Sequence, residues 1–160
     1  MNIGLIINLQ REGEHPYCAD KLDFNSGFSY DPQILISEDI KYKNFGWEDM
    51  SIPDSMGFMI IIMKEMLITI KEEKKKVLVH CHAGYGRTGI VIACYMMIDS
   101  DRSAEEVVLS IRNVRPKCVQ KTAQMDYCKE FRDCNIFNNF KILILIDAFS
   151  LLKSIISTFT

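Results

Sequence analysis

Apolar positions along the chain change period several times. Ile3 to Leu9 is a largely apolar run rich in branched side chains and bounded by polar residues, which predicts a buried strand. Gln10 to Pro32 is polar and turn-rich and predicts a long loop. Asp39 to Phe45 alternates around Ile40 and Tyr42, the pattern of a second strand, and Gly46 to Pro53 follows as a loop. Met59, Ile62, Met63, Met66, Leu67 and Ile70 recur at helical spacing, with Asp54 as the expected N-cap. The charge run Lys71 to Lys76 reads as the solvated end of that helix. Val77 to His80 is a short apolar strand. Thr88 to Ile98 is almost wholly apolar and predicts a buried helix. Ser103-Ala104-Glu105-Glu106 is a capping box that opens a helix reaching about Val114, which Arg115-Pro116 ends. Gln120 to Phe131 predicts one more helix. This order argues for an α/β sandwich with a short, mainly parallel sheet flanked by helices.

Composition narrows the class. Of 160 residues, 48% are hydrophobic and 25% charged, which suits one globular domain. A net charge of −2 gives no basic field for nucleic acid, and no nucleic-acid partner is expected. The six cysteines form no CxxC pair, and the spacing of the three histidines shows no zinc pattern, so neither metal nor cofactor is expected. The N-terminus lacks a basic region before its short apolar run, which points to a reducing, cytoplasmic setting. The apolar texture of residues 136–160 separates them from residues 1–135. Lys141, Asp147 and Lys153 interrupt that tail, so a packing helix is expected there and no clear membrane span.

The chemistry concentrates in His80-Cys81-His82-Ala83-Gly84-Tyr85-Gly86-Arg87-Thr88-Gly89. Its glycines spell the dinucleotide fingerprint G-x-G-x-x-G. That reading requires a second strand ending in an acidic residue, and here the loop helix is followed by another helix. A nucleophilic cysteine with a phosphate cradle uses every residue instead. The amides of Ala83 to Arg87 can form an anion nest, with His82, Ala83, Gly84, Tyr85 and Gly86 as substrate-binding positions. The same nest would lower the Cys81 pKa. Arg87 is a planar fork for phosphate oxygens. Thr88 is expected to donate its hydroxyl hydrogen to the sulfur. His80 reads as an orienting group on the strand, and His82 as a side chain at the pocket rim.

A cysteine nucleophile also needs an acid for the leaving oxygen. Asp49, in the loop after the second strand, is the candidate, with Glu48 and Asp54 as fallbacks. Loops at the C-terminal ends of parallel strands converge on one crevice, which lets this loop face the cysteine. Trp47 and Pro53 are expected to act as its hinge and its stop.

The ten-residue stretch resembles the signature loop HCxxGxxR[ST] of cysteine-dependent protein tyrosine phosphatases. Trp47-Glu48-Asp49 with Pro53 resembles their WPD loop, and Val119-Gln120-Lys121-Thr122-Ala123-Gln124 their glutamine loop. Within that superfamily AGYGRTGI is similar to the dual-specificity branch. The resemblance covers about residues 3 to 134 and begins inside the family's domain, so an N-terminally partial catalytic domain is expected. It implies hydrolysis of phosphotyrosine, and of phosphoserine or phosphothreonine, on phosphoprotein partners through a cysteinyl-phosphate, with Gln120 and Gln124 positioning water. It also implies cytoskeletal, centrosomal or ciliary association. Two other readings stay open: an inactive phosphate-binding module, and a phosphoinositide phosphatase, against which stand His82 and Tyr85 where that class carries lysines.

Overall fold

Three short strands meet side by side at the centre of the computed structural model, which describes residues 2–18, 21–100 and 102–134. Strand β1 (Ile3–Asn8) lies between β2 (Lys41–Asn44) and β3 (Lys76–His80), and both pairings are parallel. Ile6 stands opposite Tyr42 on one side and Leu78 on the other. Alternation then sends Leu5 and Ile7 to one face, where both are fully buried, and Ile6 and Leu78 to the other.

The buried face shares one core with four helices, α2 (Met56–Leu67), α3 (Gly86–Asp99), α4 (Ala104–Val114) and α5 (Thr122–Asp133), of which α4 and α5 pack on α3. Met59, Ile62, Met63 and Met66 of α2 form one side of the core, and Ile90, Val91, Ala93, Cys94 and Met97 of α3 its centre. A short helix, α1 (Pro32–Ser37), lies against β2 and begins at the last residue of the predicted loop. Asp31 caps it by accepting from the Gln33 amide, and Pro32 supplies the first helical φ. The expected N-cap of α2 also moves by one residue. Ser55, not Asp54, accepts from the Phe58 amide. That helix runs on as a π-helical turn, Ile68–Glu72, before the chain enters β3. The capping box at Ser103 forms as read, with reciprocal bonds to Glu106 of 3.2 and 2.8 Å.

The charge run is a solvated surface with partners at hand. Lys71 meets Asp99 at 2.6 Å, and Lys41 pairs with Glu73. Among the described residues no helix is long and apolar enough to cross a membrane. The tail 136–160, and with it the expected packing helix, lies outside the described residues.

What this topology does for a site is align three strand ends. The amide of Leu9 donates to the His80 carbonyl at 2.9 Å, and that of Phe45 to the Asn8 carbonyl at 2.8 Å. Residues 9–15, 45–53 and 81–85 therefore leave the sheet at one edge and face one another.

Candidate active site

Cys81 follows the last residue of β3, and Gly86 opens α3, so the signature loop joins a strand end to a helix N-terminus. Gly84 makes the bend at φ +72°, a left-handed conformation that strains any residue with a Cβ. The bend aims its amide at the Cys81 sulfur, 3.2 Å away. Cys81, His82, Ala83, Gly84, Thr88 and Arg115 line a cleft of about 320 Å³.

Arg87 sits in the first turn of α3 with no exposed surface. Its Nη1 donates to the carbonyls of Leu9 and Trp47, each at 2.9 Å, and to Glu14 Oε2 at 2.8 Å. Its Nη2 reaches Glu14 Oε1 at 2.5 Å and Asp49 Oδ1 at 3.1 Å. One guanidinium thus joins the loops from all three strand ends. Burial alone would lower its pKa, but the bond to Glu14 and the charges of Glu14, Asp49 and Cys81 outweigh it, and the net shift is upward. Two buried donors in this loop, Arg87 Nε and the Thr88 hydroxyl, have no partner among the described residues. Buried donors are rarely left so, and when they are the reason is commonly functional.

Here the geometry departs from expectation. The Thr88 hydroxyl does not bond the sulfur. Gly84 supplies that hydrogen bond instead, because the loop bends toward Sγ before the helix begins. Nor is the outer edge of Arg87 free to fork onto an anion, since Glu14 already holds both Nη atoms.

Asp49 is the acid that the fold brings in. Its Oδ1 lies near Arg87 and accepts from the Met50 amide at 2.9 Å, while Oδ2 meets His15 Nε2 at 3.1 Å. Glu48 and Asp54 are exposed. Trp47 is buried, so it anchors its loop by ring as well as by carbonyl. The glutamines divide. Gln124 is fully buried, and its amide is occupied by the Ser51 carbonyl at 3.2 Å and the Gln120 and Lys121 amides at 2.9 and 3.3 Å. Gln120 is exposed, and its Oε1 lies 3.1 Å from where a Cβ on Gly86 would stand. His82 is at the rim, as read, and stacks on His15 with centroids 4.2 Å apart.

His80 orients the loop from below. Its Nδ1 meets the Cys81 carbonyl at 3.2 Å and its Nε2 the Tyr30 hydroxyl at 2.7 Å. Burial lowers its pKa, the Cys81 carbonyl opposes that, and the Arg87 charge adds to the lowering. The neutral ring fits both contacts, one nitrogen donating and the other accepting.

Sequence reasoning missed Glu14, His15 and Arg115. Arg115 donates to the carbonyls of Gly84 at 2.9 Å and Ala83 at 3.3 Å and lies 4.9 Å over the Tyr85 ring. For Glu14 the available signal is its place in the loop that follows β1. Backbone strain offers another signal, visible only in three dimensions: His15, Met50 and Val119 all adopt positive φ, one in each of three loops around the site.

Comparison with known proteins identifies a family and a fold. The family profile described as dual specificity phosphatase, catalytic domain, matches residues 1–134. Protein tyrosine phosphatase domain-containing protein 1 of Danio rerio is 40% identical over 126 residues, covering 79% of this chain and 17% of that protein. Cyclin-dependent kinase inhibitor 3 of Homo sapiens is 38% identical over 74 residues, covering 45% of this chain and 34% of that one. The chain therefore spans about 17% of the length of the first of these relatives. Among solved structures, a kinase associated phosphatase whose catalytic cysteine is replaced by serine superposes with TM-score 0.68 at 27% identity, over 82% of this chain and 70% of that one. Tk-PTP in its active form gives TM-score 0.68 at 23% identity, over 82% and 80%, a likeness of fold.

Proposed function

The chain belongs to the dual specificity phosphatase family, and from that premise we propose that it hydrolyses phosphotyrosine, and phosphoserine or phosphothreonine, on protein substrates. The observation that carries this reading is the convergence of Cys81, Arg87 and Asp49 at one edge of the sheet, with the Gly84 amide 3.2 Å from the sulfur and Asp49 3.1 Å from Arg87.

The Cys81 thiolate attacks phosphorus in line. Loop amides and the Arg87 Nε hold the equatorial oxygens, where charge develops. The bond to the leaving oxygen breaks, and Asp49 gives that oxygen a proton. A cysteinyl-phosphate results. Water then attacks it, held by Gln120 and losing its proton to Asp49, and phosphate leaves with the sulfur again a thiolate. Gln124 acts through the loop, since its amide already has partners. A reducing compartment such as the cytoplasm suits this chemistry, because Cys81 must remain a thiol.

One observation favours a second reading, a module that binds phosphate without turnover: Glu14 holds both outer nitrogens of Arg87. Hydrolysis of para-nitrophenyl phosphate by the wild type and by Cys81→Ser separates the two. Turnover lost in Cys81→Ser, with vanadate or phosphate binding retained, supports the enzyme. Absence of turnover in the wild type with phosphopeptide binding intact supports the module.

A further inference from the structure

We propose that His15, Cys18 and His82 form a zinc site at the mouth of the cleft, and that its occupancy inhibits the phosphatase by engaging Asp49. One ligand atom from each of the three residues lies within 4.8 Å of the others. Their chemistry is specific. Imidazole nitrogen and thiolate sulfur together suit a borderline-soft, tetrahedral ion, and they disfavour magnesium or calcium.

The local chain builds the site. Pro16 follows His15, and the Cys18 amide donates to the His15 carbonyl at 3.0 Å, closing a turn that brings the two side chains together. His82 comes from the signature loop and already stacks on His15 at 4.2 Å, with 19° between the rings. Zinc–ligand bonds of about 2.0–2.3 Å imply donor separations of about 3.5 Å, so small side-chain rotations complete the triangle. Cys18 and His82 are exposed and His15 is partly so, which leaves a path for the ion. Spacing along the chain hid this set, because His82 belongs to a different loop.

Asp49 ties the site to catalysis. Its Oδ2 is 3.1 Å from His15 Nε2. Where His15 ligates through Nδ1, the carboxylate is the acceptor that fixes the ring, as in carboxylate–histidine–metal triads. Where it ligates through Nε2, Asp49 is placed as the fourth ligand. Either arrangement holds the carboxylate as an anion and takes it from proton donation. Glu14 also lies near, at 3.8 Å from His15 Nε2, but Arg87 neutralises it. The inhibitory part rests on the acid role proposed for Asp49, whereas the binding part does not.

Cobalt(II) titration of the whole 160-residue chain reads binding without reference to activity. The expected result is a thiolate-to-cobalt charge-transfer band in the wild type and in Cys81→Ser, displaced by zinc, lost in Cys18→Ser and weakened at least tenfold in His15→Ala. A band lost in Cys81→Ser and kept in Cys18→Ser puts the metal on the nucleophile and overturns the site. In parallel, zinc inhibition of para-nitrophenyl phosphate hydrolysis is expected to need at least tenfold more zinc in Cys18→Ser, whose uninhibited rate is unchanged. Equal sensitivity of the two proteins overturns the inhibitory role, while the cobalt band still decides whether the site exists.

Discussion

Glu14 grips Arg87 with both carboxylate oxygens, 2.8 Å from Nη1 and 2.5 Å from Nη2. The arginine has no exposed surface, and the glutamate side chain is 13% exposed. Glutamate here does for the guanidinium what a second arginine could not: it offsets a buried positive charge and fixes the plane of the fork.

Removing one partner of such a pair leaves the other buried and uncompensated. Glu14→Ala is expected to cost about 3 kcal/mol of stability, the low end for such pairs, because Asp49 and two carbonyls still face Arg87. Glu14→Gln keeps the shape and loses the charge, so a smaller loss is expected. Turnover should also fall by about tenfold or more, since the fork loses its alignment. Urea denaturation beside steady-state kinetics checks both. Unchanged stability in Glu14→Ala would mean that the pair is not formed in solution.

Asp49→Asn tests the acid. General acid catalysis is worth about 10²–10⁴-fold when the leaving group is poor and less when it is activated. Hydrolysis of a phosphotyrosine peptide should therefore slow by about a hundredfold or more, and that of an aryl phosphate with a very acidic phenol much less. Equal loss on the two substrates moves the role to another group. Because Glu48 and Asp54 are exposed and without a bond to Arg87, neither is expected to rescue the variant.

Chain proximity decided what could be read in advance. Cys81 through Thr88 are contiguous, and one loop between strand and helix already dictates which of them bend and which of them bind. The capping box at Ser103 is equally local, and it forms as written. Asp49 could be named because a separate motif marks it. Glu14 and Arg115 carry no motif, and they matter only because the parallel sheet gathers its strand ends and α4 ends beside the loop. Pattern pairs the Thr88 hydroxyl with the sulfur, but the position of the Gly84 amide is a matter of backbone angle, which residue names do not carry. The short helix at Pro32 shows the converse case. Its Asp-Pro start was in plain sight, but six residues are too few for a hydrophobic period to emerge.

A side chain at Gly84 should be destabilising. A Cβ there would stand 2.6 Å from Arg115 Nη2, and φ is +72°. Two separable costs follow, a clash and a backbone strain of about 1–2 kcal/mol. Arg115→Ala removes the first and keeps the second. Gly84→Ala is therefore expected to destabilise the wild type more than it destabilises Arg115→Ala, a positive coupling measurable in a double-mutant cycle. Additive effects would show that Arg115 moves aside freely, which its bonds to the Gly84 and Ala83 carbonyls argue against.

His80 has its pKa lowered from 6.5 in the folded chain, by burial first and by the Arg87 charge as well, against the opposing pull of the Cys81 carbonyl. The unfolded chain then binds a proton that the folded chain resists. Its contribution to stability is flat above the ordinary histidine range. It declines as pH falls through 6.5 toward the lowered folded value, by at most about 1.4 kcal/mol per pH unit for one proton. Protonation also turns Nε2 from acceptor to donor, so the Tyr30 hydroxyl must reverse its bond. His80→Gln removes the titrating group, and its urea midpoint should fall less steeply between about pH 8 and about pH 5 than that of the wild type. Identical slopes for the two proteins would assign the acid sensitivity to other groups and leave His80 as a packing element of the loop.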